Sequence, residues 1–105
     1  MSLLVLELDR TAPGRSEWRG GGDSAEAGGK KSIQVSGASN SGNWTATVRV
    51  YGSNDGRFPI LLYEFDISDS VPSEAGEITF RWEQFCFEIV ASTGSATRVS
   101  AVMSV

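Results

Sequence analysis

The side chains able to do chemistry are few, and their spacing decides little in favour of catalysis. Asp66, Asp69, Glu74 and Glu77 fall in one stretch. Carboxylate oxygens are what Ca²⁺ takes as ligands. Their spacing matches no defined calcium loop, so they read as solvated charge. Glu64 and Glu88 are a second acidic pair, of the kind that flanks a glycosidic bond. They stand on separate predicted strands, and nothing in the sequence brings them together. Cys86 is the single cysteine, and the chain has no histidine. A thiol needs a base or cation beside it to become a nucleophile, and histidine is the commonest general base and metal ligand. Cys86 therefore reads as a small filler in a sheet. Gly20-Gly21-Gly22 lacks a following Lys-Ser/Thr, so it is no phosphate loop. Asn43-Trp44-Thr45 has the form of a glycosylation acceptor, but it reads as a chance match without a secretory signal. Arg49, Tyr51 and Arg81 could form a flat carbohydrate platform on an exposed sheet face. The inventory points away from an enzyme, a metal site or a cofactor. It leaves binding or assembly through surfaces.

Charge and length bound the partners. The chain has 105 residues, enough for one domain and one small core. Its net charge is −4, and the acids concentrate between Asp55 and Glu88, while residues 1–31 are balanced. A nucleic-acid partner would require a basic footprint, and none is present. No apolar run approaches the ~18 residues of a membrane span. Met1 to Leu8 lacks the charged start and cleavage site of a signal peptide. One cysteine allows no intrachain disulfide, so stability must come from packing or from partners.

The elements that must carry these residues are strands. Trp44–Tyr51 alternates, with Trp44, Ala46, Val48 and Val50 against Thr45, Thr47, Arg49 and Tyr51. The link Gly52–Gly56 contains Asp55-Gly56, the chemistry of a hairpin turn. The return strand, Phe58–Phe65, places Leu61, Tyr63 and Phe65 together. Further strands are predicted at 2–8, 32–36, 77–82, 85–91 and 96–105, with 66–76 as a loop. About seven strands with no helical period indicate an all-β fold, a small antiparallel β-sandwich or jelly roll. Its core would be aromatic: Trp44, Tyr63, Phe65, Phe80, Trp82, Phe85 and Phe87.

The segment 9–31 differs from the rest of the single domain 1–105. It holds Pro13 and six of the twelve glycines, has no apolar period, and has Trp18 as its one large apolar residue. It reads as an extended loop, or as an arm that lies across a neighbouring subunit. Ordering it costs roughly 1–2 kcal/mol per residue in backbone entropy, which a partner surface would have to offset.

The run Val48-Arg49-Val50-Tyr51-Gly52-Ser53-Asn54-Asp55-Gly56-Arg57-Phe58 is followed by Phe85-Cys86-Phe87-Glu88-Ile89-Val90, then by Gly94 and Val99–Val105. Over roughly residues 32–105 this resembles small virion proteins of tailed bacteriophages. These are β-sandwich or jelly-roll subunits found as capsid decoration (cement) proteins or in tails and necks. The resemblance implies a structural protein on the capsid surface, made in the bacterial host cytoplasm. Its partner would be the major capsid protein or another virion protein, and it would be a homo-oligomer. It implies no catalytic residue and no cofactor. The contact residues expected are Leu3, Val5, Trp18 and Arg19, groups that the small core does not account for. Two other readings stand beside it: a tail, neck or fibre component, and a carbohydrate-binding sandwich, where similar hairpins also occur.

Overall fold

A computed structural model of the chain describes residues 4–20, 31–40, 42–54, 57–78, 84–94 and 97–104, with the side chains of 4–10, 19 and 20 outside that description. The fold is all-β, two antiparallel sheets, with no helix among the described residues. The strands are β1 Leu4–Arg10, β2 Gly14–Arg15, β3 Arg19–Gly20, β4 Lys31–Ala38, β5 Thr45–Ser53, β6 Ile60–Ser68, β7 Ser73–Ile78, β8 Gln84–Ser92 and β9 Arg98–Ser104. One sheet has the order β1-β9-β4-β7. The other has the order β2-β8-β5-β6, with β3 beside β2 on β8.

The packing follows the period-2 pattern. Ile33, Val35, Val99, Ala101 and Met103 face inward from the first sheet. Val48, Val50, Phe65, Ile67, Phe85, Phe87 and Ile89 meet them from the second. Burying apolar surface at about 25 cal/mol per Å² is what holds two such sheets together. Trp44 plugs one end of the core. A Cβ on Gly37 would come 2.8 Å from its ring, so this glycine leaves room for the indole. At the other end Lys31 is buried, its Nζ 5.3 Å from the centroid of the Phe85 ring.

The core departs from the sequence expectation in two places, at Tyr63 and at Leu61. Tyr63 is only partly covered, and it stacks on buried Phe65 with 4.7 Å between centroids. Phe80 and Trp82 lie outside the described residues, as does the Asp55-Gly56 turn. The register of β5 on β6 shifts between Val50 and Tyr51, which oppose Tyr63 and Leu61, so Leu62 is an extra residue. An extra residue reverses the alternation beyond it. Leu61 therefore shares the outer face with Tyr51, instead of the inner face with Tyr63 and Phe65.

The stretch 66–76, predicted as a loop, is mostly strand. β6 continues to Ser68, a tight turn in which Ser68 Oγ accepts from the backbone N–H groups of Ser70 and Val71 follows, and β7 starts at Ser73. Small Gly76 on β7 lies under the Tyr63 and Phe65 rings, where a Cβ would come 2.8 Å from Tyr63. Polar β7 carries little apolar signal because it is an edge strand.

Candidate functional site

Three surfaces carry residues that the core does not use. The first is the N-terminal edge. β1 pairs with β9 at the border of one sheet, and the chain then crosses to lay β2 and β3 along β8 of the other. Described residues of the segment 9–31 thus run extended along the chain's own sheet, while 21–30 lies outside the described residues. Backbone bonding holds the segment despite its lack of apolar period. Ser16 N donates to the Phe87 carbonyl at 2.8 Å, and Phe87 N donates to Ser16 Oγ at 2.9 Å.

This edge brings together most of the expected contact residues. Val5 is the extra residue of β1, between Leu4, opposite Ser104, and Leu6, opposite Met103. Arg19 opposes Phe85 at the same end of the sandwich, and β1 approaches β3 there. Trp18, half-buried, precedes Arg19. Leu3 lies outside the described residues, as do the side chains of Val5 and Arg19.

The second surface is the outer face of the β2-β8-β5-β6 sheet. Cross-strand registers align Glu64, Arg49, Glu88 and Arg15 in one row of alternating charge. Opposite charges on facing positions each contribute roughly 0.2–1 kcal/mol. Arg49 Nε bonds Glu64 Oε1 at 2.7 Å, Tyr51 donates its hydroxyl to Glu88 Oε1 at 2.8 Å, and Thr47 donates to Asp66 Oδ1 at 2.8 Å. The guanidinium of Arg15 sits 5.5 Å from the centroid of the Tyr51 ring.

Glu64 and Glu88, unlinked in the sequence, therefore share a face, with Arg49 between them. Each is engaged by a neighbour on an open sheet face. The platform residues Arg49 and Tyr51 are likewise side by side, and Arg81 lies outside the described residues. Arg15 already occupies one face of the Tyr51 ring, where a sugar would have to stack. The Arg49 guanidinium is raised above its ordinary pKa by the Glu64 hydrogen bond. The Tyr51 hydroxyl is raised by burial, with the Glu88 hydrogen bond adding to it.

Cys86 lies opposite Tyr51 in this sheet and is fully buried. Burial pushes its thiol up to about 11, with Arg15 pulling the other way. A raised thiol pKa favours the neutral form in the fold. Cys86 therefore contributes stability in full below its ordinary pKa of 9.0, lost as pH rises to about 11. Its contribution to the slope approaches ~1.4 kcal/mol per pH unit inside that window. In denaturant titrations, the stability of wild type relative to Cys86→Ala should fall as pH rises from 9 to about 11. A thiol reagent at neutral pH should label Cys86 only after unfolding. Rapid labelling of native protein would contradict the burial.

The third surface was not anticipated from sequence. At the start of β6, Phe58, Ile60 and Leu61 are 66 %, 49 % and 51 % exposed, and Tyr63 is 37 % exposed. The consecutive Ile60-Leu61-Leu62, which breaks strict alternation, was the available signal. By contrast, the acids Asp66, Asp69, Glu74 and Glu77 do not converge. Among the described residues no three His, Cys, Asp or Glu side chains are grouped to hold a metal ion. A shallow groove of about 450 Å³ crosses the other sheet between Ser32, Gln34, Ala75 and Val102. No described helix is long and apolar enough to cross a membrane.

No protein-family model and no curated protein sequence matches the chain. Among solved structures, the fold is similar to the crystal structure of the SPBc2 prophage-derived protein YomS, with a TM-score of 0.62. That likeness covers 98 % of this chain and 91 % of the other at 15 % sequence identity, so it is a likeness of fold.

Proposed function

We propose that this chain is a structural component of a bacteriophage particle, a decoration protein that seats on the outer capsid lattice and binds the major capsid protein. The observation that carries the reading is the near end-to-end likeness of fold to a prophage-derived protein. A fold alone does not specify function, so the surfaces supply the rest of the support. The polar groups of the charged face are spent on one another, and the groove is shallow. Association would therefore run through edges and exposed apolar side chains, without covalent chemistry or a cofactor.

In this reading Leu3, Val5, Trp18 and Arg19 meet the capsid. They belong to one N-terminal segment, and Trp18 combines apolar area with few rotatable bonds, as interface anchors do. Trp18→Ala is expected to weaken capsid association by about 2 kcal/mol, roughly thirtyfold. Co-sedimentation with particles of the encoding phage would measure it. The wild-type chain should saturate at a fixed copy number per capsid, seen on the shell by electron microscopy. Density on the tail, neck or fibres would overturn the capsid assignment and favour the other virion role. Absence from particles would sink both. Binding to a glycan array that is lost in Tyr51→Ala would instead favour the carbohydrate reading.

A further inference from the structure

We infer, on the reading that Trp18 anchors the chain to its partner, that Ser16 is the residue that positions Trp18. Its hydroxyl sustains a bulge at Glu17-Trp18, and the bulge keeps the indole out of the core. The registers show the extra residue. Arg15 opposes Glu88 and Arg19 opposes Phe85. Three residues, Ser16, Glu17 and Trp18, thus stand between the paired positions of the N-terminal segment, against two, Cys86 and Phe87, on β8. Such an insertion re-aims the side chains beside it. In unbroken register Trp18 would stand opposite Phe85, which is fully buried, and would share its inward face. The extra residue hands that position to Arg19 and leaves Trp18 half-exposed.

A bulge disrupts the ladder where it sits, and Ser16 makes good the loss. Its N–H donates to the Phe87 carbonyl at 2.8 Å, as in a regular pair. The return bond differs. Phe87 N donates to Ser16 Oγ at 2.9 Å, where a regular ladder would use a backbone carbonyl. The same hydroxyl donates to the Glu17 carbonyl at 3.1 Å, so one oxygen ties the bulged backbone to β8. Serine makes such local bonds to backbone readily. Little else is available to fix this stretch. Between Asp9 and Glu17 the only apolar side chains are Ala12 and Pro13. Arg15, with its guanidinium 5.5 Å from the Tyr51 ring centroid, steadies the residue before Ser16.

Wild type, Ser16→Ala and Ser16→Thr, each labelled with 5-fluorotryptophan, test this in the free chain. Ser16→Ala should speed hydrogen exchange at the Phe87 amide about tenfold or more, because that N–H loses its acceptor. The fluorine resonance of Trp18 should move, while that of buried Trp44 stays. Ser16→Thr keeps the hydroxyl and should restore both. Co-sedimentation with particles of the encoding phage then reads the consequence. Ser16→Ala should weaken association about tenfold, less than Trp18→Ala, and Ser16→Thr should bind as wild type does. An unmoved Trp18 resonance, or a Phe87 amide exchanging at the wild-type rate, would overturn the inference. So would normal particle binding by Ser16→Ala where Trp18→Ala weakens it. Normal binding by Trp18→Ala as well would sink the contact reading itself, and the role of Ser16 in it.

Discussion

Gly94→Val is expected to destabilise the fold by about 2–6 kcal/mol, combining positive-φ strain with overpacking, each worth roughly 1–3. Gly94 has φ = 100°, a conformation that a β-branched residue resists. The space is also taken, since a Cβ would come 2.7 Å from both Thr97 Oγ1 and the Trp44 Cβ. Neither neighbour can move cheaply. The Thr97 hydroxyl lies 2.7 Å from the Thr93 carbonyl, to which it donates, and 2.9 Å from the Ser39 hydroxyl. Trp44 is buried against Gly37 on its other side. Urea denaturation should place the variant far below wild type. Gly42→Ala, where nothing lies within 4 Å of the new carbon, should change little. Equal effects at the two glycines would contradict this account. Gly37→Ala presses on the same indole, so its cost should not add simply to that of Gly94→Val.

Phe87→Ala should cost about 3–5 kcal/mol, the usual range for emptying a buried aromatic site. The side chain is fully buried, opposite Val50 in the middle of the second sheet. A domain of this size has roughly 5–15 kcal/mol in all, so the variant should retain little margin. Each kcal/mol corresponds to roughly 4–8 °C of melting temperature, which makes calorimetry a sensitive measure. The Phe87 backbone also bonds Ser16, and those bonds do not require the ring. Phe87→Leu should therefore recover most of the loss. A small effect of Phe87→Ala would mean that the neighbouring side chains close over the gap.

Much of the architecture was readable because it rests on a short-range rule. Where one face of a strand is buried and the other solvated, apolar residues must alternate, and 44–51, 85–91 and 96–105 show it plainly. Residues 73–76 escaped because an edge strand needs little apolar content: its ladder to β4 is backbone, and Gly76 serves by being small. β2 and β3 escaped for the same reason. Of the candidate sites, Val5, Trp18 and Arg19 were named from composition, while the exposed strip at β6 was hidden. Its residues look like core until the extra residue at Leu62 turns Leu61 outward.

By itself, the sequence determined that the chain is all-β, that its strands pack as a small sandwich, and which strand faces are apolar. These follow from side-chain periodicity, a property of neighbours along the chain. Only the tertiary structure decided which edges are closed. β1, β2 and β3 line one side of the sandwich, while β6 stands at the border of its sheet with apolar side chains exposed. It also set Glu64, Arg49, Glu88 and Arg15 in one row, and buried Lys31 over Phe85. Those outcomes depend on register between segments far apart in sequence. A one-residue shift in register changes every pairing on a face, and no local pattern encodes it.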